Sequence, residues 1–444
     1  MQAPRSRPLI AAAEMGYGHL RAARPLAQQL GTELTYVDRE PLAGRAERGV
    51  WEAVRWAHAW SSRGSELPVV GPSVRRMLDS VTMIPPLHPY RDLAGPSVAT
   101  RALDSLIHRG FGEPLAQHLR TTGAALVTTF YAPAIVADRR GIDNVFCVVT
   151  DADINRVWAP LDARESNIRY LAPSRRVVRR LRAFGVPASR IEFTGFPLPH
   201  ALVGGEELSA LRGNLGPRLV RLDPKKRFRA SCHHELAHFF TELGRDHDGQ
   251  PPLLTFAVGG AGAQSGLVDA FLPSLRPLLL AGRIRLALVA GTHFEVAARF
   301  RRALRRFELD ACIGDSVEIL SADGLDAYFE RFEALIARTD ILWTKPSELT
   351  FYAALGIPLL LTSPVGVHER FNRRFAREEG VALKQRDPKH IGERLSELLA
   401  DGTLASAAWS GFLRLPKFGT YRVLEELGLS GTAPPALQGE FADT

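Results

Sequence analysis

A histidine and a pair of aspartates lie where the sequence predicts that buried strands end. His19 comes shortly after the apolar residues 9–13, and Asp151 and Asp153 come directly after the apolar residues 144–150. An imidazole titrates near neutrality and can take a proton from an attacking hydroxyl. The aspartates can orient that base, bind the hydroxyl groups of a sugar, or cap the turn that follows their strand. We therefore take His19 and Asp151 as candidate catalytic residues, with a purely structural role for each as the alternative.

Three loops have the composition of phosphate-binding turns. Gly16 and Gly18 precede a predicted helix, residues 259–262 read GGAG after a predicted strand, and residues 344–349 read TKPSEL before another helix. Backbone amides at such turns can point at an anion. One glycine-rich turn is often only a matter of geometry. Three such loops spread over the chain predict a cleft that binds an anionic ligand.

The segment at residues 341–377 predicts a strand, a turn, a helix, a second strand, a loop and another helix. Both strands are apolar on consecutive residues, as parallel strands buried on both faces are. The first helix, at residues 349–355, ends at Gly356. Loops at the carboxyl ends of parallel strands are where open α/β sheets bind ligands, so loops 344–349 and 363–372 are candidates. An ordinary βαβ unit without a ligand explains the pattern equally well.

Apolar runs alternate with predicted helices along the whole chain, which favours a parallel α/β architecture. The runs fall into two series separated by a polar stretch, so we predict an α/β fold of two Rossmann-like, doubly wound domains that face each other across a cleft. The first series is residues 9–13, 34–38, 124–129, 144–150, 168–172 and 191–194, and the second is residues 253–258, 284–290, 317–320, 341–343 and 359–361.

The expected domain boundaries follow from the same two series. Each domain of this architecture needs its own core, and a chain of 444 residues is too long for one core. The expected units are residues 1–200 for the N-terminal domain, 201–250 for a helical linker or insertion, 251–413 for the C-terminal domain, 414–428 for a C-terminal helix that packs back towards the N-terminal domain, and 429–444 for a disordered tail.

The overall composition limits the class of protein. Hydrophobic residues make up 45% and charged residues 23% of the chain, which is typical of a soluble globular protein. The three cysteines lie far apart without a CxxC pair, which argues against a disulfide framework and for a reducing compartment. We recognise no signal peptide and no apolar run long enough to span a bilayer. A cytoplasmic location is therefore expected.

The net charge of +8 comes mainly from arginine, with clusters at residues 175–182 and 299–306. Each cluster fits a helix with one basic face, which is either a solvated face or a surface that attracts anionic lipid headgroups or phosphorylated substrates. No recognised nucleic-acid-binding module accompanies either cluster, so nucleic acid is not expected as a partner. The tryptophan-rich residues 49–64 predict a helix that is apolar on both sides, one of which faces either a core or an acceptor or membrane interface.

One short segment has the spacing of a zinc site. His234, Glu235 and His238 form the pattern H-E-x-x-H, which on a helix places two imidazoles on one face with the glutamate as base of a zinc hydrolase. The extended form of this pattern, which supplies a third ligand, is missing, and the segment lies in the predicted linker. We interpret it as a coincidence and predict no metal cofactor, with adventitious metal binding beside Cys232 left open.

Short segments spread over most of the chain follow the order of a known pattern. Residues 15–23, MGYGHLRAA, resemble a G-x-G-H-x-x-A-A opening. Further matches are VTD with a later tryptophan at 149–158, the PS, GVP and GFP pieces between 173 and 197, Gly259 with Gly260, TKP at 344–346, GIP at 356–358, and GVHE at 366–369 with Asn372. In these motifs the chain resembles the two-domain glycosyltransferases of the GT-B type. The similar branch contains plant monogalactosyldiacylglycerol synthase, bacterial processive diacylglycerol glucosyltransferases and the N-acetylglucosaminyltransferase that makes lipid II.

This resemblance implies a nucleotide-sugar donor on the C-terminal domain and an acceptor on the N-terminal domain. It also implies that His19 is the base of an inverting transfer, in which the acceptor hydroxyl attacks the anomeric carbon opposite the leaving diphosphate. Glycine loops and a helix N-terminus can stabilise that diphosphate without a metal. The implied acceptor is lipid-linked or otherwise membrane-associated, at an anionic membrane surface. The implied donor-binding residues are Gly16, Gly18, Gly259, Gly260, Gly262, Thr344, Lys345, Ser347, Glu348, Leu349, Thr350, His368, Glu369 and Asn372.

The chain departs from this pattern at the donor site. Phe351 stands where the family carries a glutamate that binds the nucleotide ribose, and Glu348 replaces the second glycine of the family's K-P-G-G. Glu348 and Glu369 are the carboxylates that could take over the lost role. The alternative function is a non-catalytic or sugar-isomerising protein of the same fold that binds a nucleotide or a glycan.

Overall fold

The structure is a computed structural model that describes residues 7–63, 83–240, 249–257, 259, 262, 264–364 and 366–429. Strands and helices alternate through both halves of the chain. Every strand pairing in the two sheets is parallel, as expected where helices cross over between neighbouring strands.

The N-terminal domain is built on one parallel sheet. Its strands are β1 (Leu9–Ala12), β2 (Thr35–Tyr36), β3 (Leu126–Thr128), β4 (Val145–Val148), β5 (Arg169–Ala172) and β6 (Ile191–Phe193). The order of these six strands in the sheet is β2-β1-β3-β4-β5-β6. Successive side chains of β1 enter opposite cores, with Ile10 on one side and Ala11 on the other, because side chains alternate across a pleated strand.

The C-terminal domain repeats this arrangement. Its strands are β7 (Leu253–Ala257), β8 (Arg285–Gly291), β9 (Val317–Ser321), β10 (Ile341–Thr344), β11 (Leu359–Leu361) and β12 (Ala382–Lys384). The sheet order is β12-β11-β10-β7-β8-β9. Trp343 lies fully buried in β10, and its indole Nε1 donates a hydrogen bond of 2.8 Å to Gln385. The central strands are therefore apolar on both faces, as their sequences predict.

Helices cover both sheets and connect them. They are α1 (Tyr17–Leu30), α2 (Arg45–Arg63), α3 (Val98–His108), α4 (Glu113–Thr122), α5 (Tyr131–Arg139), α6 (Arg175–Ala183), α7 (His200–Val203), α8 (Ser209–Arg221), α9 (Arg227–Ser231), α10 (His233–Phe239), α11 (Val268–Leu280), α12 (Phe294–Arg306), α13 (Leu325–Arg338), α14 (Val367–Glu378), α15 (Ile391–Ala400), α16 (Thr403–Arg414) and α17 (Gly419–Glu426). Short 3₁₀ helices occur at Arg156–Trp158, Ala188–Arg190, Ser265–Leu267, Asp310–Cys312, Glu348–Leu355 and Pro388–His390.

The predicted fold class is confirmed, because two doubly wound parallel sheets form where the two series of apolar runs lie. Two local expectations differ from the structure. The edge strand β12 was not predicted, since its residues are only partly buried and form no apolar run. The helix expected at residues 349–355 is a 3₁₀ helix, which ends at Gly356 in the left-handed conformation as expected.

The tryptophan-rich segment forms helix α2. Trp51 is buried and its ring lies 5.4 Å from Phe111 and 6.2 Å from Phe130, so this side of the helix packs in the N-terminal core. The side chains of Trp56 and Trp60 lie outside the described part, so the second apolar side stays a prediction. Of the helices that the structure describes, none combines the length and the apolar character needed to cross a bilayer.

A continuous apolar core joins the two domains. The face of the first sheet that carries Ile10 and Phe146 belongs to the same cluster of buried residues as the core of the C-terminal domain. Helix α17 contributes to it and contacts the N-terminal domain, where Thr420 Oγ1 donates a hydrogen bond of 2.6 Å to the carbonyl of Leu198. Arg169 and Glu426 form an ion pair of 2.5 Å beside this contact.

Candidate active site

His19 lies in the first turn of α1, directly after β1. The turn begins at Gly16, whose φ of 106° falls in the region that favours glycine. The imidazole Nδ1 lies 2.6 Å from the carbonyl oxygen of Thr129, which follows β3. Because a carbonyl only accepts hydrogen bonds, Nδ1 carries the proton and Nε2 is the basic nitrogen of the neutral ring. The loops after two neighbouring strands thus select one tautomer of His19.

Burial keeps the imidazole neutral. His19 is 9% exposed, and this burial lowers its pKa below the ordinary value of 6.5. The hydrogen bond to Thr129 and the negative charges of Asp151 and Glu348 work in the opposite direction without reversing the shift. A neutral imidazole with an unprotonated Nε2 is the state that a general base requires.

The two aspartates after β4 have different surroundings. Asp151 is half-buried, and its carboxylate accepts a hydrogen bond of 3.0 Å from the side-chain amide of Asn372 in α14. Asp153 is fully buried and accepts hydrogen bonds from Nε and one terminal nitrogen of Arg180, at 2.8 and 2.9 Å. Asp151 is therefore a residue of the domain interface, whereas Asp153 anchors helix α6 to its own domain.

Asn372 ties the two domains together with both ends of its amide. Its oxygen accepts a hydrogen bond of 2.9 Å from the backbone amide of Ala152, while its nitrogen donates to Asp151. The side chain is 1% exposed. Two predicted site residues, Asp151 and Asn372, are thus brought together from opposite domains.

Lys345 and Glu369 form a second pair within the C-terminal domain. The lysine Nζ lies 3.1 Å from the carboxylate of Glu369, and both side chains are mostly buried. The lysine stem passes close to the backbone of Gly259, where a Cβ atom would lie 2.5 Å from its Cε. Three segments that the sequence predicts to bind the donor therefore meet at the carboxyl ends of β7, β10 and β11.

Glu348 points across the interface into the N-terminal domain. Its carboxylate forms an ion pair with Arg21 of α1, and the side chains are 11% and 4% exposed. The other arm of the guanidinium donates to the hydroxyl of Tyr328 in α13. A Cβ atom on Gly18 would lie 3.1 Å from the carboxylate of Glu348, so the acidic group sits directly against the first glycine loop.

The charges around Glu348 keep it ionised. Burial works to raise the pKa of this carboxyl group, but the charges of Arg21 and Lys345 hold it below the ordinary value of 4.5. The hydrogen bond from Arg21 adds to this effect. A buried carboxylate is thus stabilised at the position where two predicted phosphate-binding loops meet.

The remaining predicted donor-binding residues have mixed surroundings. Thr344 and Thr350 are buried, and their hydroxyls donate to the carbonyls of Ala257 and Ser347, at 3.2 and 2.8 Å. Leu349 is an apolar core residue. Gly262 adopts a positive φ of 65°, whereas Gly260 lies outside the described residues.

His368 stands in the first turn of α14. This helix begins at Gly366, which offers no side-chain cap. The Nδ1 atom of His368 is buried, and within the described part of the chain it has no hydrogen-bond partner. An uncapped helix start and an unsatisfied ring nitrogen leave this turn able to accept a polar ligand.

Phe351 packs into the domain interface. Its ring lies parallel to that of Phe196 from the N-terminal domain, with centroids 4.9 Å apart and planes inclined by 10°. The two side chains are 3% and 1% exposed. Phe351 therefore contributes apolar contact between the domains.

The H-E-x-x-H segment lies on the surface. His234, Glu235 and His238 are exposed on helix α10. Over the described ranges, no group of three or more potential metal ligands comes together. The absence of a metal cofactor stays a prediction.

Arg21, Tyr328 and Thr129 are residues of this site that the sequence patterns did not single out. Arg21 carried a signal, because it is a charged residue within the otherwise apolar run that follows His19. It lies four residues after Tyr17 and so shares its helix face, which contacts the C-terminal domain through a 3.0 Å hydrogen bond to Thr292. Tyr328 and Thr129 carried no such signal.

Curated relatives match parts of this chain. The processive diacylglycerol beta-glucosyltransferase of Bacillus subtilis strain 168 is 34% identical over 95 residues, which are 21% of this chain and 23% of that protein. The protein of the same name from Bacillus cytotoxicus is 26% identical over 259 residues, which are 58% of this chain and 54% of that protein. The chain thus spans about half the length, or less, of these relatives. No protein-family model matches the chain.

Two solved structures share the architecture. The S. aureus MnaA-UDP co-structure has a TM-score of 0.50 and 11% identity, covering 97% of this chain and 99% of that one. MurG of Acinetobacter baumannii has a TM-score of 0.50 and 13% identity, covering 96% of this chain and 100% of that one. The chain is similar to these proteins in fold, and to glycosyltransferases of the GT-B type in its sequence segments.

Proposed function

We propose that this GT-B-like protein is a glycosyltransferase that moves a sugar from a nucleotide-sugar donor to a lipid-linked or other membrane-associated acceptor. The observation that carries the proposal is the neutral His19, with a basic Nε2, at the interface of two Rossmann-like domains. The partial likeness to processive diacylglycerol beta-glucosyltransferases supports the same reaction class.

The proposed reaction inverts the anomeric carbon. The acceptor hydroxyl attacks that carbon and forms the new C–O bond, while its proton moves to Nε2 of His19. The bond from the anomeric carbon to the diphosphate breaks, and the nucleoside diphosphate leaves with the electron pair. Asp151, which is negatively charged and close enough to raise the pKa of His19, supports the protonated imidazole that results.

The proposed donor lies on the C-terminal domain with its diphosphate at the meeting point of the glycine loops. Lys345 supplies a positive charge there, and helix α14 begins with amides that no side chain caps. A helix N-terminus and a lysine stabilise the charge that develops on a leaving diphosphate. No metal cofactor is part of this proposal. The UDP in the MnaA structure makes a uridine nucleotide the first donor to test.

A surface of the N-terminal domain supports a membrane-associated acceptor. Met83, Tyr90 and Val98 are among the most exposed large apolar residues, with exposed fractions of 59%, 85% and 74%. Their segment is attached to the basic helix α6, because Arg180 donates a hydrogen bond of 2.6 Å to the carbonyl of Pro85. Apolar side chains beside exposed arginines suit an anionic bilayer surface. We therefore propose a peripheral position at the cytoplasmic face of a membrane.

A second candidate is a protein of the same fold that binds a nucleotide or glycan without transferring a sugar, or that isomerises one. The packing of Phe351 against Phe196 favours it, because no carboxylate replaces the family's ribose ligand at that position. The two carboxylates that could take over this role are already paired, Glu348 with Arg21 and Glu369 with Lys345.

A transfer assay on vesicles separates the two candidates. The protein is incubated with radiolabelled nucleotide-sugars and vesicles that contain diacylglycerol and anionic lipid, and labelled glycolipid is extracted. We expect His19→Ala to lower turnover by about 10²–10⁴-fold, as loss of a general base does. The matched control is His108→Ala, an exposed histidine of the same domain. Full turnover by His19→Ala would reject the proposed base, and binding without transfer by the native protein would favour the second candidate.

A further inference from the structure

The first glycine loop faces a carboxylate that the protein itself supplies. Helix α1 has 14 residues and begins after Gly16 without a side-chain cap. The carboxylate of Glu348 reaches the first turn of this helix from the opposite domain and lies 3.1 Å from where a Cβ of Gly18 would be. An anionic group of the protein therefore already lies against the loop that the sequence predicts to bind a phosphate.

Arg21 is the cation that binds this carboxylate. Its guanidinium is enclosed by aromatic rings, with Phe332 at 4.6 Å and Tyr17 at 5.3 Å from its central carbon. One arm binds Glu348 and the other binds Tyr328. The remaining Nε is buried and has no hydrogen-bond partner in the described part of the chain. The guanidinium therefore has a donor left over that a carboxylate does not use and a phosphate could accept.

Stability alone is a weak explanation for this pair. Removing two charges from water costs several kcal/mol per ion, and an apolar pair of similar volume is often as stable. The side chain of Arg21 is surrounded by the rings of Tyr17, Phe329 and Phe332, against which an apolar side chain would also pack. A buried charge pair between α1 and the predicted phosphate-binding loop 344–349 is better explained by binding of a charged ligand.

We propose that Arg21 is a phosphate-binding residue of the donor site, and that Glu348 occupies its anion position until the diphosphate of the donor displaces it. This inference rests on the proposed function and concerns how donor binding at the same site is regulated. The incoming phosphate replaces the carboxylate on Arg21 and beside Gly18. Glu348 then turns away from Arg21. The ion pair between α1 and the 3₁₀ helix Glu348–Leu355 is replaced by contacts that both segments make with the ligand.

The test compares ligand affinity in four proteins by calorimetry. They are the native protein, Glu348→Gln, Arg21→Gln with Glu348→Gln, and the control Glu378→Gln, which removes a carboxylate from another ion pair between the domains. The probes are UDP, GDP, inorganic pyrophosphate and uridine. Both substitutions introduce neutral side chains, and Glu348→Gln is also nearly isosteric. The double variant leaves neither charge of the pair buried without its partner. Melting temperatures verify that each variant is folded.

We expect Glu348→Gln to bind pyrophosphate and UDP about tenfold more tightly than the native protein, because the internal competitor has lost its charge. Adding Arg21→Gln should cancel this gain for UDP and pyrophosphate while the affinity for uridine stays the same. The control Glu378→Gln should match the native protein with every probe. A purely structural pair would change the melting temperature but not the ratio of UDP to uridine affinity.

The outcomes separate this inference from the proposed function. Equal or weaker pyrophosphate and UDP binding by Glu348→Gln would overturn the inference and leave the nucleotide-sugar donor intact. Tight pyrophosphate binding by Glu348→Gln, with no nucleotide bound by any variant, would support the anion position and overturn the proposed donor. Binding of no probe by any of the four proteins would overturn both.

Discussion

Among the arginine–glutamate pairs that join the domains, Arg21–Glu348 and Arg176–Glu378 differ most clearly in their surroundings. Arg21 and Glu348 are 4% and 11% exposed, inside a ring of aromatic side chains. Arg176 and Glu378 are 17% and 45% exposed, and Glu378 also binds Arg374 at 2.7 Å. The same two residue types thus form a buried pair beside the first glycine loop and a more exposed pair at the rim of the domain interface.

The comparison teaches that burial, and not residue type, decides what an ion pair between domains can do. A solvated pair is screened by water and salt, so it contributes little and constrains little. A buried pair is costly to break on one side, because the remaining charge stays out of water. Of these two pairs, the buried Arg21–Glu348 pair is therefore the one that can hold an anion position closed.

The largest difference between the pairs should appear when the arginine is removed. Arg21→Met leaves Glu348 buried without its cation, so we expect the free energy of unfolding to fall by about 3–5 kcal/mol. Arg176→Met at the rim should change it by about 0–1 kcal/mol. Urea unfolding followed by circular dichroism measures both. Equal losses for the two variants would show that the pairs do not differ as described.

A neutral bridge between the domains should give an intermediate effect. Asn372→Ala removes the hydrogen bonds to Asp151 and to the backbone amide of Ala152, and leaves that buried amide unsatisfied. We expect a loss of about 1–3 kcal/mol in the free energy of unfolding. Asn372→Asp is the matched variant: it keeps the oxygen that accepts from Ala152 but sets a carboxylate against Asp151. If Asn372→Ala lowered the free energy of unfolding as little as Arg176→Met does, the Asn372 bridge would contribute no more to stability than the exposed pair.

The pH dependence of stability should also distinguish the buried pair from the exposed one, because Glu348 titrates in the folded protein below its ordinary pKa. Because the pKa of Glu348 in the folded protein lies below its ordinary value of 4.5, the charged form stabilises the fold above that pH. This contribution is lost as the pH falls through the lowered pKa, since the unfolded state then binds more protons. Glu348→Gln should therefore lose less stability than the native protein between neutral pH and acid. The melting temperatures of both proteins are measured across that pH range. Parallel curves of melting temperature against pH would contradict the lowered pKa of Glu348.

The smallest effect is expected at the rim. Glu378→Gln removes one carboxylate from a solvated cluster, so the free energy of unfolding should change by about 0–1 kcal/mol. The change should shrink further in about 1 M salt, where screening acts over only about 3 Å. The measurement is urea unfolding at low and at high salt. A larger, salt-insensitive loss would show that this pair is buried in solution.

Much of the fold follows from short-range sequence patterns. Apolar runs such as residues 253–258 and 359–361 predict buried parallel strands, because only such strands are apolar on both faces. Strand β12 lacks this pattern, since it lies at a sheet edge and is partly exposed. The local sequence also identifies the loops of the site, because glycine and helix-start residues determine backbone geometry within a few positions.

The sequence by itself therefore determined two Rossmann-like sheets, the loops at their carboxyl ends, and His19 as a candidate base. The tertiary structure decided the partners: Thr129 for His19, Arg180 for Asp153, and the contact of Phe351 with Phe196. It also joined Arg21 to Glu348, which are 327 positions apart in the chain. Such pairings depend on how two separately folded sheets dock, and no periodicity within either segment encodes that docking.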